Sequence, residues 1–370
     1  MKIAVDARAL FREEITGIGT YVLHLVQYLQ STDVELYLFT DQPDCPSNVL
    51  PAGKSNVLCA PAKNRYLWEQ VSLPRLLART RPDLFHATWN YGIPFRCQTK
   101  TVLTVHDVIP LILKELYRPK NVRESLRDWL YRMSLRHSLK VARKVITVSQ
   151  SSYDDLSGLF PASKHKTIIL HEGCDSPPPP MSHAEWETLR QKFRLAKPYF
   201  VYFGGFEVRK NIAMLMEAFL KLRKGHDIQL LLIGKKNAYY DGHLSRYARE
   251  PSIVFTDYVS GSELAQLVGK SLASVYPSLY EGFGLPVLEA MSFGTPVITS
   301  DVSSMREVGG DCAYYFDPTN ENSLTHAMED VICNPWLVAR LRECGLARYR
   351  QFKWSGMTHA TYDLYLSLVQ

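Results

Sequence analysis

Short runs of β-branched and aromatic residues recur along the chain, separated by longer stretches in which apolar residues return every three or four positions. KIAVDA, ELYLFT, NVLCA, DLFHAT, TVLTVHD, KVITVS and TIILHEG have the character of strands. The stretches after Gly19, from Leu67 to Arg79 and from Asn121 to Arg143 have helical period. The signal breaks at SPPPPMSH, because consecutive prolines continue neither a helix nor a central strand, and residues 174–184 read as a stiff linker. The alternation then restarts with YFVYFGG, IQLLLIG, IVFTDYV, ASVYPS, TPVITS and AYYFD as strands. After Pro335 the pattern is helical to the end, with a restart near Trp354 and Ser355.

Two successive arrays of alternating strands and helices predict an α/β protein with two parallel sheets, each covered by helices on both faces. The expected division is a first Rossmann-like lobe over 1–173, a linker over 174–198, a second such lobe over 199–352 and a closing helical segment over 353–370. Ligands of open α/β sheets sit beyond the carboxyl ends of the strands, so two such lobes facing each other are expected to form a cleft.

Composition narrows the class. With 370 residues, 46% hydrophobic and 22% charged, the chain is long enough for two self-sufficient cores. It has no apolar run of the ~18 residues that a membrane span needs. MKIAVDARAL meets an Asp and an Arg before any apolar segment, so no secretory signal is expected. The seven cysteines (Cys45, Cys59, Cys97, Cys174, Cys312, Cys333 and Cys344) are scattered and odd in number. That favours a reducing cytosol and argues against a zinc knuckle. A net charge of +6 suggests an anionic ligand or surface without requiring nucleic acid.

Candidate chemistry gathers where strands end. In YFGGFEVRKN, Gly204 and Gly205 permit a close turn, Arg209 and Lys210 bring two cations, and Asn211 suits the cap of the next helix. Arginine grips phosphate oxygens bidentately and lysine adds a point charge, which fits a diphosphate; a solvated basic turn would look the same. In YEGFGLPVLE, Glu281 and Glu289 flank a turn in which Gly282 and Gly284 offer backbone N–H groups at a helix start, with Pro286 in its first turn. Glu289, one turn into the helix, can accept from two neighbouring hydroxyls, as on a ribose. Glu281 can reach a second sugar, or serve only as a helix-entry acid. A nucleoside diphosphate sugar has this sequence of groups: diol, diphosphate, hydroxylated ring.

In the first lobe, TGIGT carries Gly17 and Gly19 into a helix, but Val22 occupies the third glycine position of a dinucleotide fingerprint. VHD places His106 and Asp107 at a strand's carboxyl end. There His106 can bond a sugar hydroxyl or carry a proton beside Asp107, or simply cap a buried loop. No Asp-x-Asp, nucleophile elbow or Walker motif occurs, so no divalent metal is expected and cations must neutralise a leaving phosphate.

Taken together, TGIGT, VHD, GGFEVRKN and above all the E-x7-E stretch PSLYEGFGLPVLEAMSFGTPVITS resemble the family 4 retaining glycosyltransferases, which have the two-lobed GT-B fold. The resemblance covers nearly the whole chain. It implies that the first lobe takes the acceptor, that the second binds the nucleotide sugar, and that the last helix crosses back to the first lobe. It further implies that Gly19 approaches the donor phosphates and that His106 contacts the donor sugar. Arg209 and Lys210 would bind the diphosphate, Glu281 the sugar hydroxyls and Glu289 the ribose. Gly17, Gly205 and the turn residues Gly282, Phe283, Gly284 and Leu285 belong to the same donor site, and Tyr258 stands where the family touches the base. No cofactor is implied beyond the nucleoside diphosphate sugar, which is a co-substrate.

The reaction expected is retaining transfer of a hexose, from UDP-glucose or GDP-mannose type donors, to a hydroxyl of a glycan or lipid-linked oligosaccharide, in the cytoplasm or at the inner face of the membrane. An epimerase or inverting transferase on the same fold and a non-catalytic sugar-nucleotide sensor are the competing functions. A nicotinamide oxidoreductase is weakened by the missing third glycine. Between Arg118 and Lys144 nine Lys or Arg face two acids, and Arg132, Arg136, Lys140 and Lys144 recur at four-residue intervals. Like charges so spaced cost a helix about 0.2–0.5 kcal/mol per pair, so the segment suits either solvent or anionic lipid.

Overall fold

The computed structural model describes residues 1–12, 16–42 and 55–370. The chain divides into two compact units: Met1–Gly173 with Trp354–Gln370, and Cys174–Lys353. In the first unit, seven strands form one sheet: β1 (Lys2–Asp6), β2 (Glu35–Thr40), β3 (Ser55–Cys59), β4 (Leu84–Ala87), β5 (Lys100–Val105), β6 (Lys144–Thr147) and β7 (Thr167–Ile169). All pair in parallel in the order β3-β2-β1-β4-β5-β6-β7, with Val5 opposite Leu38 on one side and His86 on the other. Strands buried on both faces read as continuous apolar runs, which is why the pattern located them. Phe39, Phe85, Leu103 and Val105 of the sheet pack with Trp68, Leu135 and Leu156 from the helical layers.

The helix Trp354–Val369 belongs to this first unit and lies on Gly17–Gln30, where Trp354 stacks on His24 with ring centroids 4.5 Å apart. Tyr28 Oη meets His359 Nδ1 at 2.6 Å. Deeper in, Tyr365 Oη meets His86 Nδ1 at 2.5 Å, and His86 Nε2 meets Thr104 Oγ1 at 2.7 Å. Burial, and after it the neighbouring His106, depresses the His86 pKa to about 3, so this imidazole is neutral and uses one nitrogen as donor and the other as acceptor. The terminal helix is thus tied to β4 by a buried polar chain.

The second unit has six strands: β8 (Tyr199–Phe203), β9 (Gln229–Ile233), β10 (Ile253–Thr256), β11 (Ser274–Tyr276), β12 (Val297–Ser300) and β13 (Tyr314–Phe316). They pair in parallel in the order β10-β9-β8-β11-β12-β13. Strand order reverses between β8 and β11 here and between β1 and β4 in the first unit, and at such points the flanking loops diverge and leave room for a ligand.

Four local expectations are corrected. The linker expected over 174–198 contains a helix, His183–Lys192, because Ser182 and Glu185 form a reciprocal capping box that restarts the chain after the prolines. The helix around Leu67–Arg79 is interrupted by a wider turn at Trp68–Ser72 before continuing as Leu73–Thr80, where Pro74 lacks the N–H an unbroken helix would use. Asn211 does not cap the following helix with its side chain. It adopts φ 54°, and its amide donates to Pro318 O at 3.0 Å. Finally, Cys312 and Cys344 are joined in a disulfide, whereas scattered cysteines had argued for thiols. Their 32-residue separation hides the pairing in the sequence. Cys45 lies outside the described residues, and Cys97, Cys174 and Cys333 carry no disulfide.

Candidate active site

In the second unit, the carboxyl ends of β8 and β11 bring the two motifs together. After β8 the chain turns at Gly204, whose φ of +135° and close approach to Tyr276 Oη, 3.0 Å from where a Cβ would stand, require glycine. The short turn Val208–Lys210 follows, and Arg209 O accepts from Leu279 N at 2.8 Å, fastening this loop to the one after β11. Glu281 then receives Arg209 Nη1 on Oε2 at 2.7 Å, and Lys210 Nζ and Ser278 Oγ on Oε1, each at 2.6 Å. Lys210 and Glu281 are each only 7% exposed.

The backbone around Glu281 is held as firmly. Its N–H donates to Ser303 Oγ at 3.0 Å, and Ser304 Oγ bridges Glu281 O and Phe283 O at 3.0 and 2.7 Å. Burial alone would raise the Glu281 pKa, but Lys210 and Arg209 outweigh it and bring it to about 2. The trio carries one net positive charge. A buried ion pair of this kind contributes little to stability but fixes geometry. Arg209 Nε is also paired with the exposed Glu207 at 2.8 Å, which balances the cluster's charge until an anion competes for the two cations.

The glycine turn leads into the helix Leu285–Ser292, with Gly284 at φ 112° as its N-cap and no side chain capping it. A side chain at Gly284 would also strike the tip of Met305. The Phe283 ring is buried and packs edge-on against Phe352 at 5.8 Å, so at this position the backbone is what a ligand can meet. Leu285 is partly buried, Gly205 borders the turn after β8, and Tyr258 stands 81% exposed after β10. Glu289, partly buried one turn into the helix, is in a different setting from Glu281. Burial, and after it the Asp175 carboxylate, pushes its pKa up to about 7. The two acids of one motif are thus held in opposite states: one locked as an anion between cations, the other poised near neutrality.

In the first unit, Gly17 and Gly19 begin the helix Gly17–Gln30 as the glycine pattern predicts. His106 is 6% exposed and uses both ring nitrogens. Nε2 donates to Thr88 O at 3.0 Å, which fixes its hydrogen because a carbonyl can only accept, and Nδ1 faces Glu172 Oε1 at 3.2 Å. Its N–H donates to Asn90 Oδ1 at 2.8 Å, and Tyr21 stands edge-on at 5.0 Å. The carboxylate beside His106 is therefore Glu172, and the pairing expected with Asp107 is corrected: Asp107 instead accepts from Ile109 N at 3.0 Å and closes its own turn.

Sequence reasoning missed Glu172, Ser278, Ser303, Ser304 and Asp175, none of which has a local signature. It also missed a buried charge cluster at the β1 end. Arg8 is paired with Asp6 through Nε at 2.9 Å and Nη2 at 2.7 Å, with Glu69 at 3.5 Å, and lies 3.8 Å over the Trp68 ring. Arg65 bonds Glu69 at 2.6 Å and lies 3.8 Å over Tyr91. The only hint was VDAR, an acid and a base leaving the first strand. Among the described residues no group of three His, Cys, Asp or Glu side chains converges as a metal site would require.

Two family models divide the chain, Glycosyltransferase Family 4 over residues 15–176 and Glycosyl transferases group 1 over residues 186–347. The O-antigen chain mannosyltransferase B of Escherichia coli is 33% identical over 99% of both chains. The chain belongs to the family 4 glycosyltransferases. This glycosyltransferase is also 26% identical to the O-antigen chain mannosyltransferase RfbU of Salmonella typhimurium, over 75% of its own length and 80% of that protein's. With the serotype-specific mannosyltransferase WbdA of E. coli it shares 27% identity over 73% of its length, which spans only 34% of that larger chain.

Solved structures share the fold, two of them over nearly the whole of both chains. Sucrose-phosphate synthase of Thermosynechococcus elongatus superposes with a TM-score of 0.78 at 20% identity, over 100% of this chain and 99% of that one. Anabaena Alr3699/HepE, in complex with UDP and glucose, superposes with a TM-score of 0.79 at 16% identity, over 99% and 100%. The architecture is the two-lobed GT-B fold, and the relatives place the chain among glycosyltransferases of polysaccharide biosynthesis. No described helix is long and apolar enough to cross a membrane.

Proposed function

We propose that this glycosyltransferase moves a hexosyl residue, mannosyl by its relatives' names, from a nucleoside diphosphate sugar to a hydroxyl of a growing polysaccharide or lipid-linked glycan, with retention of anomeric configuration. The observation that carries the reading is the convergence of two cations, Arg209 and Lys210, on Glu281 at the β8/β11 reversal, where a diphosphate can compete for them with Glu281 and with the exposed Glu207. Arg209 and Lys210 neutralise the departing diphosphate without a metal, since fixed cations aimed at developing charge stabilise a transition state without reorganising. Glu289 accepts from the ribose diol, the Gly282–Leu285 backbone borders the phosphates, and Gly205 and Tyr258 complete the donor's surroundings in the second unit.

Glu281 acts as a positioning group for the sugar hydroxyls. A carboxylate that holds two cations and a serine hydroxyl, with its pKa brought to about 2, is a weak nucleophile, which argues against a covalent glycosyl intermediate. Retention then follows from a same-face, oxocarbenium-like displacement in which the departing phosphate takes the acceptor's proton. His106, held by Thr88 O and Glu172, is the first unit's candidate for contact with a sugar hydroxyl. Nucleotide sugars are supplied in the cytoplasm, so transfer belongs there, at the membrane face when the acceptor is lipid-linked.

The test is incubation with GDP-mannose, UDP-glucose and a hydroxylated glycan acceptor, followed by anomeric analysis of the product by NMR. An α-linked product from an α-linked donor is expected. An inverted product, a product that is only an epimerised donor, or donor binding without turnover each overturns the reading.

A further inference from the structure

The disulfide Cys312–Cys344 lies in a chain whose proposed chemistry belongs to the cytoplasm, where thiols are kept reduced. What the bond joins gives it a task. Cys312 closes the turn that follows the short helix Met305–Gly309, and Cys344 lies on the helix Pro335–Tyr349. Each of these pieces supports one side of the turn that runs from Glu281 to Gly284.

On the Cys312 side, the chain reaches the donor turn within a few residues. Ser303 holds the Glu281 N–H, and Ser304 holds the Glu281 and Phe283 carbonyls. Met305, next in the chain, lies so close to Gly284 that a Cβ there would strike its methyl group. On the Cys344 side, Gly345 packs on Met291, where a Cβ at Gly345 would stand 3.1 Å from Met291 Cγ. Met291 belongs to the helix Leu285–Ser292, which also carries Glu289. A second tie runs beside the disulfide: Arg348 Nε donates to Val308 O at 3.0 Å, and Nη2 donates to Glu307 O. The two supports are clamped to each other by a covalent bond and by an arginine.

Cutting the covalent clamp leaves the arginine and the packing in place. The unit keeps its fold, but the 303–312 segment opens more easily, since local opening is governed by the contacts that close it. The bonds from Ser303 and Ser304 then form in a smaller fraction of molecules, and a ligand that needs the assembled turn binds in proportion to that fraction. Access favours exchange at one sulfur. Cys312 is 7% exposed, whereas Cys344 is half-buried on a helix whose neighbouring Arg342 and Glu343 face solvent.

We propose that Cys312–Cys344 is a reversible thiol–disulfide site that sets nucleoside diphosphate affinity at the donor turn. Oxidised, the turn is held for binding; reduced, it is loosened. The reductant is a dithiol. One of its thiolates attacks Cys344 Sγ, the protein disulfide breaks, and Cys312 leaves as a thiolate that takes up a proton. The second thiolate of the dithiol attacks the mixed disulfide and releases Cys344, which is protonated in turn. The dithiol ends as a disulfide, the protein gains both electrons and two protons, and glutathione disulfide reverses the exchange. The inference rests on the reading of the second unit as the donor site and gives that site a control.

The experiment compares the full chain oxidised with glutathione disulfide and the same protein reduced with dithiothreitol, the state of the pair being read by alkylation and peptide mass spectrometry. Affinities for GDP and UDP are measured by isothermal titration, and amide hydrogen exchange is followed over 279–289 and 303–312. Reduction is expected to weaken nucleoside diphosphate binding about threefold, as when about a third of the molecules keep the turn assembled. It is also expected to speed exchange in both segments, and reoxidation to undo both effects. The double variant Cys312→Ser, Cys344→Ser is expected to match the reduced protein and to ignore dithiothreitol, which excludes the other cysteines.

Measurable but equal affinity in the two states overturns the proposal, as does equal exchange, a reductant effect that the double variant retains, or a pair that glutathione disulfide does not join. The wild-type comparison decides without any substitution, so a variant that folds poorly does not blunt the test. Absence of nucleoside diphosphate binding in both states sinks the donor reading, and exchange alone then decides whether the bond governs the turn.

Discussion

At the residue scale, one motif puts two glutamates in opposite electrostatic settings, and each setting has a measurable consequence. Glu289 has a folded-state pKa raised to about 7, so below that pH its carboxyl is protonated and a poorer acceptor for a diol. If it holds the ribose as an anion, nucleoside diphosphate affinity rises as the pH goes from 6 to 8, by about tenfold for one linked proton. Isothermal titration should show this rise with GDP or UDP, and Glu289→Gln or a 2′,3′-dideoxy nucleotide should flatten it. An equal pH dependence for the dideoxy nucleotide would remove Glu289 from the ribose. For Glu281, replacement by Gln removes the anion that holds Lys210 and one of the two carboxylates that hold Arg209, which keeps Glu207. Nucleoside diphosphate binding should then be unchanged or tighter while transfer falls. Lys210→Ala should lose both, with the rate down roughly 10²-fold. A Glu281→Gln variant that no longer binds the free diphosphate would contradict the division of roles.

At the element scale, the terminal helix Trp354–Val369 is held by side chains that its own sequence gives no sign of using. His86 lies in β4, and the ring sits in a buried chain Tyr365–His86–Thr104–Tyr21. Tyr365→Phe removes one hydroxyl and leaves His86 Nδ1 buried without its partner, a loss on the order of 1–3 kcal/mol. Denaturant unfolding at neutral pH should register that loss, and an unchanged midpoint would show that the hydroxyl is dispensable. The elements themselves were legible. The strands emerged from their apolar runs, because a parallel strand covered on both faces has little choice but to be apolar. The helix inside the proline-rich connection was not, since its cap rests on a reciprocal bond between Ser182 and Glu185 that composition around four prolines obscures. Asn211 was misread for a related reason: its side chain has a competing partner in Pro318, distant in sequence.

At the scale of the whole molecule, the disulfide Cys312–Cys344 joins the approach to β13 with the helix Pro335–Tyr349. A loop of this length is worth about 4 kcal/mol in the chain-entropy account. The double variant Cys312→Ser, Cys344→Ser should therefore unfold at lower denaturant than the oxidised wild type, and coincident transitions would mean that the bond adds nothing to stability. The sequence by itself determined the two-sheet α/β plan, the strand positions and where the glycine–cation turns proposed to hold the donor lie, because hydrophobic periodicity and such turns are local properties that survive without tertiary context. The tertiary structure alone decided the order of strands in each sheet and the meeting of Arg209 and Lys210 with Glu281 across some 70 residues. It also decided that Glu172 rather than Asp107 attends His106, and which face of Val122–Val141 is left outside. Each of these is a choice between partners far apart in the chain, and burial and packing settle such choices only once the sheets have formed.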